Sequence, residues 1–146
     1  MVSRQWKWWL WGALAFLGAA TAIATVRYEH EKRAQRQREA TYERALHSYS
    51  DVLKPGTNRK EVEDYLHERD IGFRHMCCVD RRTYSLGIYD DLIKIGQEDA
   101  PWFCNEKNVY IALQFTGQSR ADPTPEAVPS DTLKTITIYH WLEGCL

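Results

Sequence analysis

A chain of 146 residues with 44% hydrophobic and 27% charged residues is one folded domain with appendages, not a disordered polymer. Of its 19 Lys+Arg and 20 Asp+Glu, seven and three precede residue 42, so residues 42–146 carry a net charge of −5. A nucleic-acid binder needs a positive surface to displace phosphate counterions, and that balance excludes nucleic acid as a partner.

Four of the six tryptophans, Trp6, Trp8, Trp9 and Trp11, lie at the very start, and no charged residue occurs between Trp8 and Val26. A helix over residues 8–26 would roughly match a hydrocarbon core of ~30 Å, with indoles at one end and Tyr28 at the other as interfacial anchors. Residues 1–26 therefore read as an N-terminal membrane anchor, a transmembrane helix of the signal-anchor type. A cleaved signal peptide is the alternative, with Arg4 and Lys7 as its basic start and Ala22-Ile23-Ala24 as its processing site. Arg4 and Lys7 favour a cytoplasmic N-terminus, whereas the five basic residues Arg27, Lys32, Arg33, Arg36 and Arg38 pull the other way.

Residues 27–41 lack Gly and Pro, are rich in helix formers and have almost no apolar residue, which predicts a solvated helical stalk. From Tyr42 the pattern changes. Tyr42, Ala45, Leu46, Tyr49, Val52 and Leu53 recur at intervals of three and four, one apolar stripe on a helix that Pro55-Gly56 ends. Asn58 is a good N-cap for a second helix, with Glu61 three residues on as the returning carboxylate of a capping box. That helix runs to about Arg69 and buries Val62, Tyr65 and Leu66.

Strand signals follow at Phe73–Val79, at Leu92–Ile95, at Val109–Phe115 with Val109, Ile111, Leu113 and Phe115 on one face, and from Leu133 to about Trp141. Three prolines make residues 116–131 a loop. Helix, helix, then three or four strands implies an α+β domain over residues 42–146: two helices packed on a three- to four-stranded antiparallel sheet.

The stretch Lys54-Pro-Gly-Thr-Asn-Arg-Lys-Glu-Val-Glu-Asp-Tyr-Leu66 resembles the G-x-T-R-x-E-V-x-x-x-L signature of the SmpA/OmlA family of small envelope proteins. Gly56, Arg59, Glu61, Val62 and Leu66 match their counterparts, and Asn58 stands at the Ser/Thr cap. The resemblance implies two helices on a three-stranded antiparallel sheet and an extracytoplasmic, non-enzymatic interaction module. The lipid-attachment cysteine of that family is missing.

Cys77, Cys78, Cys104 and Cys145 form an even set behind an anchor, which suggests two disulfides in an oxidising compartment and so an extracytoplasmic domain. Adjacent strand residues point to opposite faces, so Cys77 and Cys78 are expected to take different partners, drawn from Cys104 and Cys145. One bond should tie the last strand, through Cys145, to the Cys77-Cys78 strand or to the Cys104 loop. Free thiols are the alternative. His75, Cys77, Cys78, Cys104, His140 and Cys145 include the ligand types for zinc, but the C-x₂₋₄-C knuckle is absent and no metal is expected.

The loop Gly96–Cys104 places Glu98 and Asp99 beside Pro101, Trp102 and Phe103. An acid pair in an apolar setting can serve acid/base chemistry, but an exposed acidic loop is more often simply solvated. No Ser-His-Asp order, P-loop or G-x-G-x-x-G occurs, so neither a catalytic set nor a cofactor is expected. The resulting reading is a membrane-anchored, non-enzymatic interaction or scaffolding module of the cell envelope. Its partners would be the membrane, through residues 8–26, and a protein contacted through Glu98, Asp99, Trp102 and Trp141. An enzyme or inhibitor using the Glu98–Cys104 loop or a Cys/His metal site is the alternative.

Overall fold

The computed structural model describes residues 4–77, 79, 87–117 and 126–146, and the side chains of residues 4–10, 12, 13 and 15 fall outside that description. Two helices precede four strands: α1 (Arg4–Val52), α2 (Arg59–Glu68), β1 (Arg74–Met76), β2 (Asp90–Glu98), β3 (Glu106–Thr116) and β4 (Thr132–Glu143). The chain divides into two units between Ala40 and Thr41. In the first unit α1 exposes its described apolar side chains, among them Phe16, Leu17, Ile23 and Val26.

The membrane-spanning expectation needs correction. Among the described residues no helix is long and apolar enough to cross a membrane. Of residues 8–26, Trp8, Trp9, Leu10, Gly12, Ala13 and Ala15 have side chains outside the description. The transmembrane helix, the signal anchor and the single-pass membrane localisation, with the extracytoplasmic placement that followed from it, are therefore not supported. The polar segment 27–41 is helical, as part of α1. No Gly or Pro interrupts residues 27–52, and helix propagation there meets no obstacle.

In the second unit the strands form an antiparallel meander in the order β1-β2-β3-β4. Leu53, just after α1, and Val62 and Leu66 of α2 pack with Ile93, Ile111, Leu113, Phe115 and Leu133 of the sheet, and Ala45, Leu46 and Tyr49 of α1 lie against that core. The other face of the sheet carries a second cluster, Leu92, Tyr110 and Ala112 with Met76, Tyr139 and Trp141 beside them. Central strand β3 is therefore buried on both faces, which explains why Val109–Phe115 is apolar almost without interruption rather than alternating. A register shift between Lys94 and Gly96 brings β2 under α1, where a Cβ on Gly96 would lie 2.7 Å from the Tyr42 ring. Only glycine allows that approach.

The start of α2 is tied down amide by amide. Lys54 O accepts from Thr57 N at 3.1 Å across Pro55-Gly56, and Gly56 has φ +93, which together make a type II turn with Pro and Gly at its two central positions. Arg59 N donates to Asp131 O (2.7 Å), Lys60 N to Pro129 O (3.1 Å), Glu61 N to Asn58 Oδ1 (2.9 Å) and Val62 N to Asn58 O (3.2 Å). The amides of Arg59, Lys60 and Glu61, which have no partner within the helix, are thus satisfied, and Val62 N makes the first intrahelical bond. Glu61 does not return to the Asn58 backbone; its Oε1 accepts from Asn58 Nδ2 at 2.8 Å. Asn58→Ala should cost about 1 kcal/mol in a denaturant titration, because it strands the Glu61 amide. Asn58→Asp should recover only part of that loss, since its acceptor would face the Glu61 carboxylate. An unchanged midpoint for Asn58→Ala would mean that water serves the amide equally well.

Candidate functional site

Two features stand out once the fold is assembled: a buried ionic cluster under α2, and an exposed aromatic loop between β2 and β3. The cluster begins with Arg59, only 1% exposed at the first position of α2. A cation there opposes the helix dipole, so its partners must be tertiary. Its guanidinium donates from Nη1 to Asp91 Oδ1 and from Nη2 to the Tyr89 carbonyl, and it stacks on the Phe115 ring at 3.8 Å. Glu63, one turn along the same helix face, lies 3.8 Å from Nη1, and Asp131 Oδ2 lies 3.8 Å from Nε.

Antiparallel pairing of β1 with β2 sets His75 directly opposite Asp91. His75 Nδ1 reaches Asp91 Oδ1 at 2.8 Å, and donor atoms of Glu63, His75 and Asp91 all lie within 4.8 Å of one another. Burial raises the Asp91 carboxyl above the ordinary range, against the pull of Arg59 and His75. Burial also raises Glu63, and the neighbouring Asp91 charge adds to it. Asp90, wholly buried on the opposite face, is raised by burial as well, although it accepts from Val79 N at 2.8 Å and Phe115 N at 3.2 Å. Asp91 Oδ2 and Glu63 Oε1 are buried with no hydrogen-bond partner.

The exposed feature is built from the loop after β2. Cys104 N donates to Pro101 O at 2.9 Å, which makes a tight turn around Trp102 and Phe103. A disulfide joins Cys104 to Cys145 across 41 residues of sequence, and Leu146 N donates to Phe103 O at 2.9 Å. Trp102 is 91% exposed and meets only the edge of Phe103, 5.8 Å away.

The four residues expected to share an interaction surface are divided. Trp102 and exposed Asp99 belong to the loop, while Glu98 is engaged by Lys107 Nζ at 2.7 Å. Trp141 stacks against Tyr139 and the Arg74 guanidinium on the sheet face away from the helices. Among the cysteines, Cys104 bonds Cys145, so the expectation that both adjacent cysteines draw on that pair is corrected. Cys77 is disulfide-bonded, and Cys78 lies outside the described residues. The Cys/His metal set fails with this pairing, because bonded sulfurs are not thiolates. His140 lies 3.7 Å from Glu98.

Sequence reasoning overlooked Arg59, Glu63 and Asp91 as a group. Two signals were present: a cation at a helix N-terminus, and the pair Asp90-Asp91 opening an apolar strand. Comparison with protein-family models, with curated proteins and with solved structures returned no match.

Arg59→Met should cost on the order of 3–5 kcal/mol in chemical denaturation, since Asp91 is left buried without its counter-charge. Adding Asp91→Leu should restore much of the loss, and a double-mutant cycle with no coupling would contradict the pairing. For the disulfide, Cys104→Ala with Cys145→Ala should lower stability by about 4 kcal/mol in the chain-entropy account of a loop this long. Reduction of the native chain, which also opens the bond at Cys77, should lower the denaturation midpoint at least as far.

Proposed function

We propose that this protein is a non-enzymatic interaction module that docks a protein partner through the disulfide-stapled loop bearing Trp102 and Phe103. The observation that carries the reading is the 91% exposure of Trp102 on a turn held by a covalent bond. A large indole left in water is unfavourable for the isolated chain, and burial of such rings dominates interface energetics. A stapled loop also loses little conformational entropy on association, which favours affinity. The resemblance of residues 54–66 to the SmpA/OmlA signature supports the same class of role. An enzyme on this loop has less support, because Glu98 is engaged by Lys107 and the Cys104 sulfur is spent in a disulfide.

A photo-crosslinking residue at position 102 of the full chain should give a discrete adduct in cells that the same residue at exposed Lys60 does not give. Trp102→Ala should weaken binding of the captured protein at least tenfold while changing stability by no more than about 0.5 kcal/mol. Equal adducts at both positions, or unchanged affinity of Trp102→Ala, would remove the loop from the binding surface.

A further inference from the structure

The ionic cluster under α2 plays no part in a docking role for the β2–β3 loop, and its donor set has a chemistry of its own. Glu63 descends from α2, while His75 and Asp91 face each other across the β1–β2 pair. Three separate elements thus bring one imidazole and two carboxylates within 4.8 Å. We propose that Glu63, His75 and Asp91 form a binding site for a divalent transition-metal ion of the zinc type.

Charge and unsatisfied donors both support this assignment. The Arg59 guanidinium is the cation buried at the site, and it faces Asp91, Glu63 and Asp131. Arg59 and His75 both engage Asp91 Oδ1, and the second oxygen, Oδ2, lies on a wholly buried residue without a hydrogen-bond partner. Glu63 Oε1 is also buried without a hydrogen-bond partner, although its side chain is partly exposed and the oxygen lies 3.8 Å from Arg59 Nη1. A buried carboxylate oxygen without a donor is costly, and a cation satisfies it directly.

The donor types select the ion. An imidazole with two carboxylates suits zinc, whereas magnesium and calcium favour all-oxygen sets. Donor atoms on a tetrahedral zinc lie roughly 3.3 Å apart at its usual bond lengths, so atoms already within 4.8 Å need only side-chain adjustment. Arg59 then orients Asp91 from behind, the position a supporting hydrogen bond takes at metal sites. His75 is 44% exposed by its side chain and lines a groove with His67, Asp70 and Phe73, which provides an entry path and a solvent-facing fourth position.

The test uses the full chain, stripped with a chelator and titrated with Zn²⁺ alone by calorimetry. One equivalent should bind, and the thermal midpoint should rise with added Zn²⁺. His75→Ala, at an exposed position that leaves Arg59 and Asp91 paired, should still fold and should lose affinity at least tenfold, as should Glu63→Gln. His47→Ala, on the exposed face of α1, should bind as the native chain does and controls for surface histidines. X-ray absorption of the loaded chain should show a single imidazole with oxygen ligands. Absence of Zn²⁺ uptake, or uptake that His75→Ala and Glu63→Gln leave unchanged, would falsify the site and mark the cluster as a structural ion network.

Discussion

A guanidinium cannot shed its proton at any ordinary pH, so once Arg59 is buried every group around it must be arranged to receive a charge. Asp91, the Tyr89 carbonyl, the Phe115 ring and Asp131 are those groups, and they come from β2, the segment before it, β3 and the segment before β4. One side chain on α2 therefore sets where four other parts of the chain must be. Removal of either half of such a pair leaves an uncompensated charge indoors, which is why the arrangement constrains more than it stabilises. The helix start obeys the same logic. Its amides are served by Asp131 and Pro129 carbonyls, so the segment before β4 holds α2 through the main chain as well as through Arg59.

The sheet beneath has two distinct faces. Toward the helices it is aliphatic and closed by Leu53, Val62 and Leu66. On the far face Arg74 lies over the Tyr110 and Trp141 rings and donates to Glu143 at 2.8 Å, and Tyr110 Oη donates to the same carboxylate at 3.0 Å. Arg74 thereby holds the Glu143 carboxyl below its ordinary range. Trp141 belongs to this network, and that is the physical reason it separates from Trp102. Trp102 is 91% exposed, and its turn is fixed by Cys104 to the segment after β4.

Local chemistry was legible wherever a few adjacent residues sufficed. Asn58 and Glu61 announce a cap, Pro55-Gly56 a turn, and the Tyr42–Leu53 stripe a helix that buries one face. Val109–Phe115 announces a strand with Val109, Ile111, Leu113 and Phe115 on one face, whereas the burial of its other face emerged only with the second cluster on the sheet. The ends of the other strands were not legible. β2 begins at Asp90, two residues before its apolar run, because a buried aspartate pair there is held by amides and a guanidinium that only the assembled sheet supplies.

The sequence by itself determined the α+β order of elements, the capped start of α2 and the core faces of α2 and β3, because these rest on periodicity and on contacts within one turn. Tertiary structure alone decided three other matters. Cys145 bonds Cys104 because the β3–β4 pairing brings the two ends of that hairpin together, Glu106 lying opposite Glu143, a long-range fact that cysteine spacing does not contain. The expectation of a membrane span rested on composition over residues 8–26, whereas among the described residues no helix is long and apolar enough to cross a membrane. Glu63, His75 and Asp91 meet because strand register and the placement of α2 act together, and a donor set drawn from three elements leaves no local pattern to read.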